Sequence, residues 1–179
     1  MGSALNFERL KLNLTLIARF AGSIPKSRIY RHMKNHQPPD KLSIIVYDGH
    51  FDKVHFALIL ASGASAIGQP TTVFFTMGAC QILLNANHDG VPGWAKMPLS
   101  NNDGLALEQD QFYEKSGIAT AEELLTACKT FKVKFLVCET GLRAMNLDHS
   151  HLRSDLNIEI GGVVTFLSDA SKDGAMLFI

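Results

Sequence analysis

Three short runs, residues 42–47, 71–75 and 133–137, are almost unbroken in apolar, β-branched or aromatic side chains. A strand with one wet face alternates apolar and polar residues. A run without alternation suits a strand buried on both faces. Between the first two runs, Val54, Ala57, Leu58, Ala61 and Ala64 or Ser65 recur at helical spacing, from Asp52 to about Ile67. Asp52 is placed to cap that helix, and Gly68 is placed to end it. Strand, helix and strand in this order predict a right-handed crossover in a parallel sheet.

The rest of the chain extends the pattern. Met77-Gly78 turns into a short helix over 79–85. Residues 86–117 hold Gly90, Pro92, Gly93, Pro98, Gly104 and Gly117, which predicts a long irregular segment, either functional or a lid. Thr120 and Glu123 have capping-box spacing, so a helix starts there and runs to about 132. A short helix over 140–145, a turn or short helix over 149–156 and a brief strand over 158–160 follow. Gly161-Gly162 opens a helix to about 172, and 175–179 is the closing strand.

With 179 residues, the chain has room for one domain with a sizeable core, placed at 41–179. Residues 1–40 read differently, as a basic arm and linker. They carry Arg9, Lys11, Arg19, Lys26, Arg28, Arg31 and Lys34 against Glu8 and Asp40, and end in Pro38-Pro39-Asp40. Residues 7–20 read either as an amphipathic helix, packed on the domain or on a neighbouring subunit, or as a loosely ordered arm. Lys plus Arg (17) equals Asp plus Glu (17), so no long-range field draws the chain to nucleic acid or an anionic membrane. No apolar stretch approaches a membrane span. The cysteines are three, an odd number, and no pair has C-x-x-C spacing. That pattern fits a reducing, cytoplasmic compartment better than a disulfide framework.

Cys138 stands where the strand 133–137 hands over to a helix. In a parallel sheet, ligands and reactive groups gather outside the carboxyl ends of the strands. The amides of a following helix favour thiolate over thiol there, and thiolate is the nucleophilic form. Arg143, one turn along, adds positive charge unless Glu139 folds back to meet it. The competing reading is a buried cysteine that fills space. Cys80 also follows a strand and is the second candidate thiol. Cys128 has core spacing with Leu124, Leu125 and Phe131 and reads as structural. His50 and His55 flank Asp52 beyond the first strand, as part of a metal site or a base together with Cys138 or Cys80, or as solvated histidines at a helix start. His149-x-His151 is a weak metal signal beside a polar turn. No metal set is expected. The chain contains no G-x-G-x-x-G and no P-loop, so no nucleotide cofactor is expected either.

Several ordered segments together carry a resemblance: Lys41 to Val46 leading to Asp52-Lys53, then 72–76, 133–138, Met145-Asn146-Leu147, 158–167 and 175–179. Over 41–179 the chain resembles the DsrE/DsrF-like family. The resemblance implies a three-layer α/β/α fold with a mainly parallel sheet of about five strands. It also implies a homo-oligomer, a trimer or a multiple of one. Family members with the cysteine carry sulfane sulfur as a persulfide between donor and acceptor proteins, as sulfurtransferases or sulfur carriers, and Cys138 matches that cysteine. Two stretches depart from the family: Glu139-Thr140-Gly141-Leu142-Arg143-Ala144 after the cysteine, and the long 86–117 segment. The alternative is an oligomeric binding or redox-sensing module of the same fold without enzymatic activity.

Overall fold

The computed structural model describes residues 39–101 and 104–179. The predicted arm falls outside them, except for Pro39 and Asp40. Five strands form one sheet: β1 (Leu42–Val46), β2 (Thr71–Phe75), β3 (Lys134–Cys138), β4 (Ile158–Gly161) and β5 (Ala175–Phe178). Their order is β4-β3-β2-β1-β5, and every neighbouring pair is parallel. The helices are α1 (Phe51–Ala66), α2 (Ala106–Lys115), α3 (Ala121–Thr130), α4 (Glu139–Ala144) and α5 (Val163–Asp169).

The runs without alternation do become strands buried on both faces. Val73, Phe75, Phe135 and Val137 face one way, into a large core with Phe51, Val54 and Leu58 of α1 and Leu124 and Leu125 of α3. Phe74, Leu136 and Cys138 face the other way, against Phe166 of α5. The result is three layers, α/β/α, with a mostly buried parallel sheet in the middle.

The connections explain the strand order. From β1 to β4 the chain steps across one strand at a time. α1 and α3 pack together on the first face, and Leu142 of α4 joins the same core. From β4, at one edge, the chain crosses under the sheet through α5 to β5 at the other edge. Beyond β3 the chain therefore turns towards one face, and beyond β4 it turns towards the other.

Local chemistry sets the element ends, with some departures from expectation. The Thr120–Glu123 capping box forms as its spacing predicts. Gly68 follows α1 with φ +90, as a glycine that ends a helix does. The cap of α1 is His50, not Asp52. Asp52 sits in the first turn, where its carboxylate accepts from the backbone N–H of Ser100 at 2.9 Å and from the Ser100 hydroxyl. The short helix after β2 is a 3-10 helix, Met77–Leu83. The segment 86–117 is less irregular than expected. It holds a 3-10 turn, Gly93–Lys96, and all of α2. Only Ala106 and Asp110 of α2 are buried, so the sequence carries no apolar stripe to announce it. α5 ends at Asp169, short of residue 172, because Asp169 turns back to bind the sheet.

Candidate functional site

Where connections part to opposite faces of a parallel sheet, a crevice opens at the carboxyl ends of the two strands. Here those strands are β3 and β4, and their last paired residues are Cys138 and Gly161. Cys138 is also the residue that caps α4. It is placed at this point by the alternation of β3: Val137 faces the first core, so Cys138 faces the second.

The turns around it are joined backbone to backbone. A Cβ built on Gly78 would lie 2.8 Å from Cα of Gly49, and one on Gly49 would lie 2.9 Å from Cα of Gly78. A Cβ on Gly141 would lie 2.6 Å from the backbone nitrogen of Met77. Met77 itself has φ 48, an uncommon value for a residue with a side chain. Sequence reasoning read Met77-Gly78 only as a turn and missed the close approach of these backbones, yet a signal was present. Gly49, Gly78 and Gly141 each stand three residues beyond the last residue of a strand.

Cys138 is 4% exposed and belongs to the second-face cluster with Phe74, Leu136 and Phe166. Arg143 does not reach towards it. Its guanidinium donates to Glu139 Oε1 at 2.7 Å on the solvent side of α4, so Glu139 meets the arginine one turn along the helix. Cys80 is fully buried on the first face, and its thiol is directed at the carbonyl of Phe75, 3.7 Å away. Burial, helped by the negative charge that a Cys138 thiolate would carry, pushes Cys80 up to about 12. It stays a thiol at neutral pH. Cys128 is buried between α3 and α1, with its thiol 3.8 Å from the Leu58 carbonyl, and burial raises it as well.

The two histidines separate. His50 lies beyond β1, and its ring pairs with the carboxylate of Asp48. His55 is inside the first-face layer. Its Nε2 pairs with the carbonyl of Ala119 at 2.8 Å, and its ring packs 4.5 Å from that of Tyr113. Burial pulls its pKa down, only partly opposed by that bond, so it is a neutral packing residue. His151 closes a capping turn with Asp148, whose carboxylate accepts from Ser150. Among the described residues no three His, Cys, Asp or Glu side chains are grouped to hold a metal. Trp94 is buried against Phe51, with ring centroids 5.2 Å apart, and donates to Glu122 at 2.8 Å. It fixes the long segment to the first face and does not cover Cys138.

Two surface clefts are lined by other residues. One lies between α1 and β5, among Asp48, Asp52, Lys53, Phe56 and Phe178. The other lies at the opposite end of the sheet, among Lys132, Lys134, Asn157 and Glu159.

The model of the DsrE/DsrF/DrsH-like family matches residues 38–92, which span β1, α1, β2 and the 3-10 helix after it. Over that stretch the chain is similar to the DsrE/DsrF-like family. That match ends before Cys138. Longer alignments come from two relatives. One is the sulfur carrier protein DsrE2 of Allochromatium vinosum, 28% identical over 158 residues, covering 78% of this chain and 98% of that protein. The other is the uncharacterized protein YrkE of Bacillus subtilis, 24% identical over 156 residues, covering 78% of this chain and 96% of that one. The crystal structure of the ychN protein from E. coli is 14% identical, with a TM-score of 0.48, covering 78% of this chain and 97% of that one. No helix among the described residues is long and apolar enough to cross a membrane.

Proposed function

We propose that this DsrE/DsrF-like chain carries sulfane sulfur on Cys138, as a sulfur-relay protein or sulfurtransferase. The observation that carries the reading is the place of Cys138 at the carboxyl end of β3, beside Gly161 of β4, where the connections part. The likeness to a protein named as a sulfur carrier supports it. In the proposed step the Cys138 thiolate attacks the outer sulfur of a donor persulfide. The donor S–S bond breaks, its thiolate leaves and takes up a proton, and a new S–S bond forms on Cys138. An acceptor thiolate then attacks the outer sulfur and regenerates Cys138. One sulfur moves in each step, and no net oxidant is needed. Arg143, Cys80, His50 and His55 were the supporting candidates. The geometry gives the strongest case to Cys138 alone. Exchange with a donor or acceptor protein, assembly as a homo-oligomer and a cytoplasmic setting belong to the same reading.

One observation favours the second reading, an oligomeric binding or redox-sensing module without enzymatic activity. Cys138 is 4% exposed, enclosed in the second-face apolar cluster that includes Phe166. A relay requires that cluster to open. Incubation with a sulfane-sulfur donor followed by intact mass decides between the two. The relay predicts a gain of whole sulfur atoms on the wild type that Cys138→Ser lacks. No such gain, with Cys138 still reactive to a small alkylating reagent, favours the module. Light scattering reads the oligomer directly.

A further inference from the structure

The two edges of the sheet are guarded unequally. An edge strand offers unpaired N–H and C=O groups to any other strand, and proteins block that row with charge, proline or bulges. β4, at one edge, carries Glu159, which is half exposed and pairs with Lys134 at 3.0 Å, and it ends in Gly161. β5, at the other edge, reads Ala175-Met176-Leu177-Phe178, with no charge and no proline. Among the described residues β5 pairs with β1 alone.

Main-chain direction fixes which groups of β5 face outward. The N–H groups of Ala175 and Ile179 donate to the carbonyls of Lys41 and Ile45, both at 2.8 Å, so they point towards β1. Successive residues of a strand turn their main-chain groups to opposite edges. Leu177 therefore faces β1 as well, while Met176 and Phe178 turn both N–H and C=O outward.

This row is complementary to itself. Consider a two-fold axis perpendicular to the sheet, passing beside Leu177. Met176 then stands opposite Phe178 of the second copy, and Phe178 opposite Met176 of the second copy. Both are hydrogen-bonded pairs, in which each residue donates its N–H and accepts with its C=O, so every outward group is satisfied. Between them Leu177 meets its own counterpart in the closer, non-hydrogen-bonded pair. The side chains suit these places. A thioether lies against a ring on the second face, and leucine against leucine on the first. Tyr47, stacked on Phe178 with ring centroids 6.0 Å apart, extends the apolar strip.

Neither helix layer blocks the approach. α5 packs on Phe74 and Leu136 of β2 and β3. α1 is parted from β5 by the cleft that Phe56, Leu60 and Leu177 line. Phe178 is 70% exposed, Phe56 54%, Tyr47 51% and Met176 47%. With Leu177 and the outer main chain they offer roughly 500–600 Å² per copy, at the lower end of stable interfaces.

We propose that two copies of the chain join by antiparallel pairing of β5, with Leu177 at the two-fold axis, into one continuous sheet. The pairing goes beyond the relay reading and holds whatever Cys138 does.

Light scattering of the wild type and of Met176→Pro tests the pairing. The proline removes only an outward N–H, a loss that an edge strand tolerates. Whatever other contacts the chain makes, the particle mass should halve, with the circular-dichroism spectrum of the folded chain kept. A monomeric wild type, or a folded variant of undiminished mass, overturns the proposal. Cross-linking reads the register separately and needs no proline. With Cys138→Ser as background, Leu177→Cys should give a disulfide-linked dimer under mild oxidation. Met176→Cys and Phe178→Cys should link many-fold more slowly, because each stands two residues out of line with its own counterpart, beyond the reach of a disulfide. Equal rates from all three, or no dimer from Leu177→Cys, overturn the proposal.

Discussion

The two faces of the sheet are held by different physics. The first is an apolar layer, with α1 and α3 packed on each other and on six or more fully buried sheet and helix side chains. Among the described residues the second has one seven-residue helix, a four-residue apolar cluster and a polar clasp. In the clasp, Asp169 accepts from Lys41 Nζ at 2.6 Å, from Thr72 Oγ1 at 2.6 Å and from Lys134 Nζ at 3.3 Å. Apolar burial is non-directional and tolerates small shifts, whereas a clasp acts at one place. The site cysteine lies on the second, thinner face. Cys138 thus lies where the structure is easiest to open, which is what the proposed relay requires.

Substitutions can break this contrast. Phe75→Ala empties a fully buried place in the first core, and should cost about 3–5 kcal/mol in denaturant unfolding, without changing Cys138 labelling in the native state. Phe166→Ala on the second face should cost less, about 2 kcal/mol, because water can enter beneath a single short helix. Its larger effect should be a several-fold faster reaction of Cys138 with a thiol reagent. Equal costs for the two would mean that the faces are equally cohesive.

The clasp and its counterpart respond to pH in opposite senses. Burial pulls Asp169 up, but the bonds from Lys41 and Thr72 and the lysine charges outweigh it and hold the carboxyl below its ordinary value. Its contribution is present above the ordinary carboxylate pKa and fades as pH falls through the lower folded value. Asp169→Asn should cost about 1 kcal/mol at pH 7 and remove that acid-side loss, read from unfolding across pH. Asp110, between α2 and α3, is the reverse. Burial, with Glu122, Glu114 and Glu123 nearby, pushes it up to about 6, against the bond it accepts from the Ala121 N–H at 2.8 Å. Between the ordinary carboxylate pKa and about 6 the folded chain holds a proton that the unfolded chain has released, so stability falls as pH rises through that window. Asp110→Asn keeps the acceptor and drops the charge. It should gain about 1 kcal/mol at pH 7 and flatten the curve there. A curve that stays unchanged would remove Asp110 from the contrast.

What could be read from the sequence follows from range. β1, β2 and β3 were legible because burial on both faces writes itself as an unbroken apolar run. The start of α3 was legible because Thr120 and Glu123 satisfy each other within three residues. Cys138 was legible as a strand end, and the Glu139–Arg143 pair as a spacing of four. The clasp was not. Asp169 binds Lys41 and Thr72 across 128 and 97 residues, and nothing local marks it. The stacking of Phe166 on Phe74 in the cluster that holds Cys138 was hidden for the same reason. α2 was hidden because a helix that buries little carries no stripe. Asp52 was misassigned as a cap because its partner, Ser100, is 48 residues away.

The three glycines beyond β1, β2 and β3 make the rim of the sheet a seam of main chain on main chain. Such a seam is indifferent to the side chains beside it. Glu139 and Thr140 are exposed, and neither takes part in locating Cys138, so substitution at either should leave the cysteine where it stands. Changes in that stretch can therefore alter the surface around Cys138 without changing where it stands.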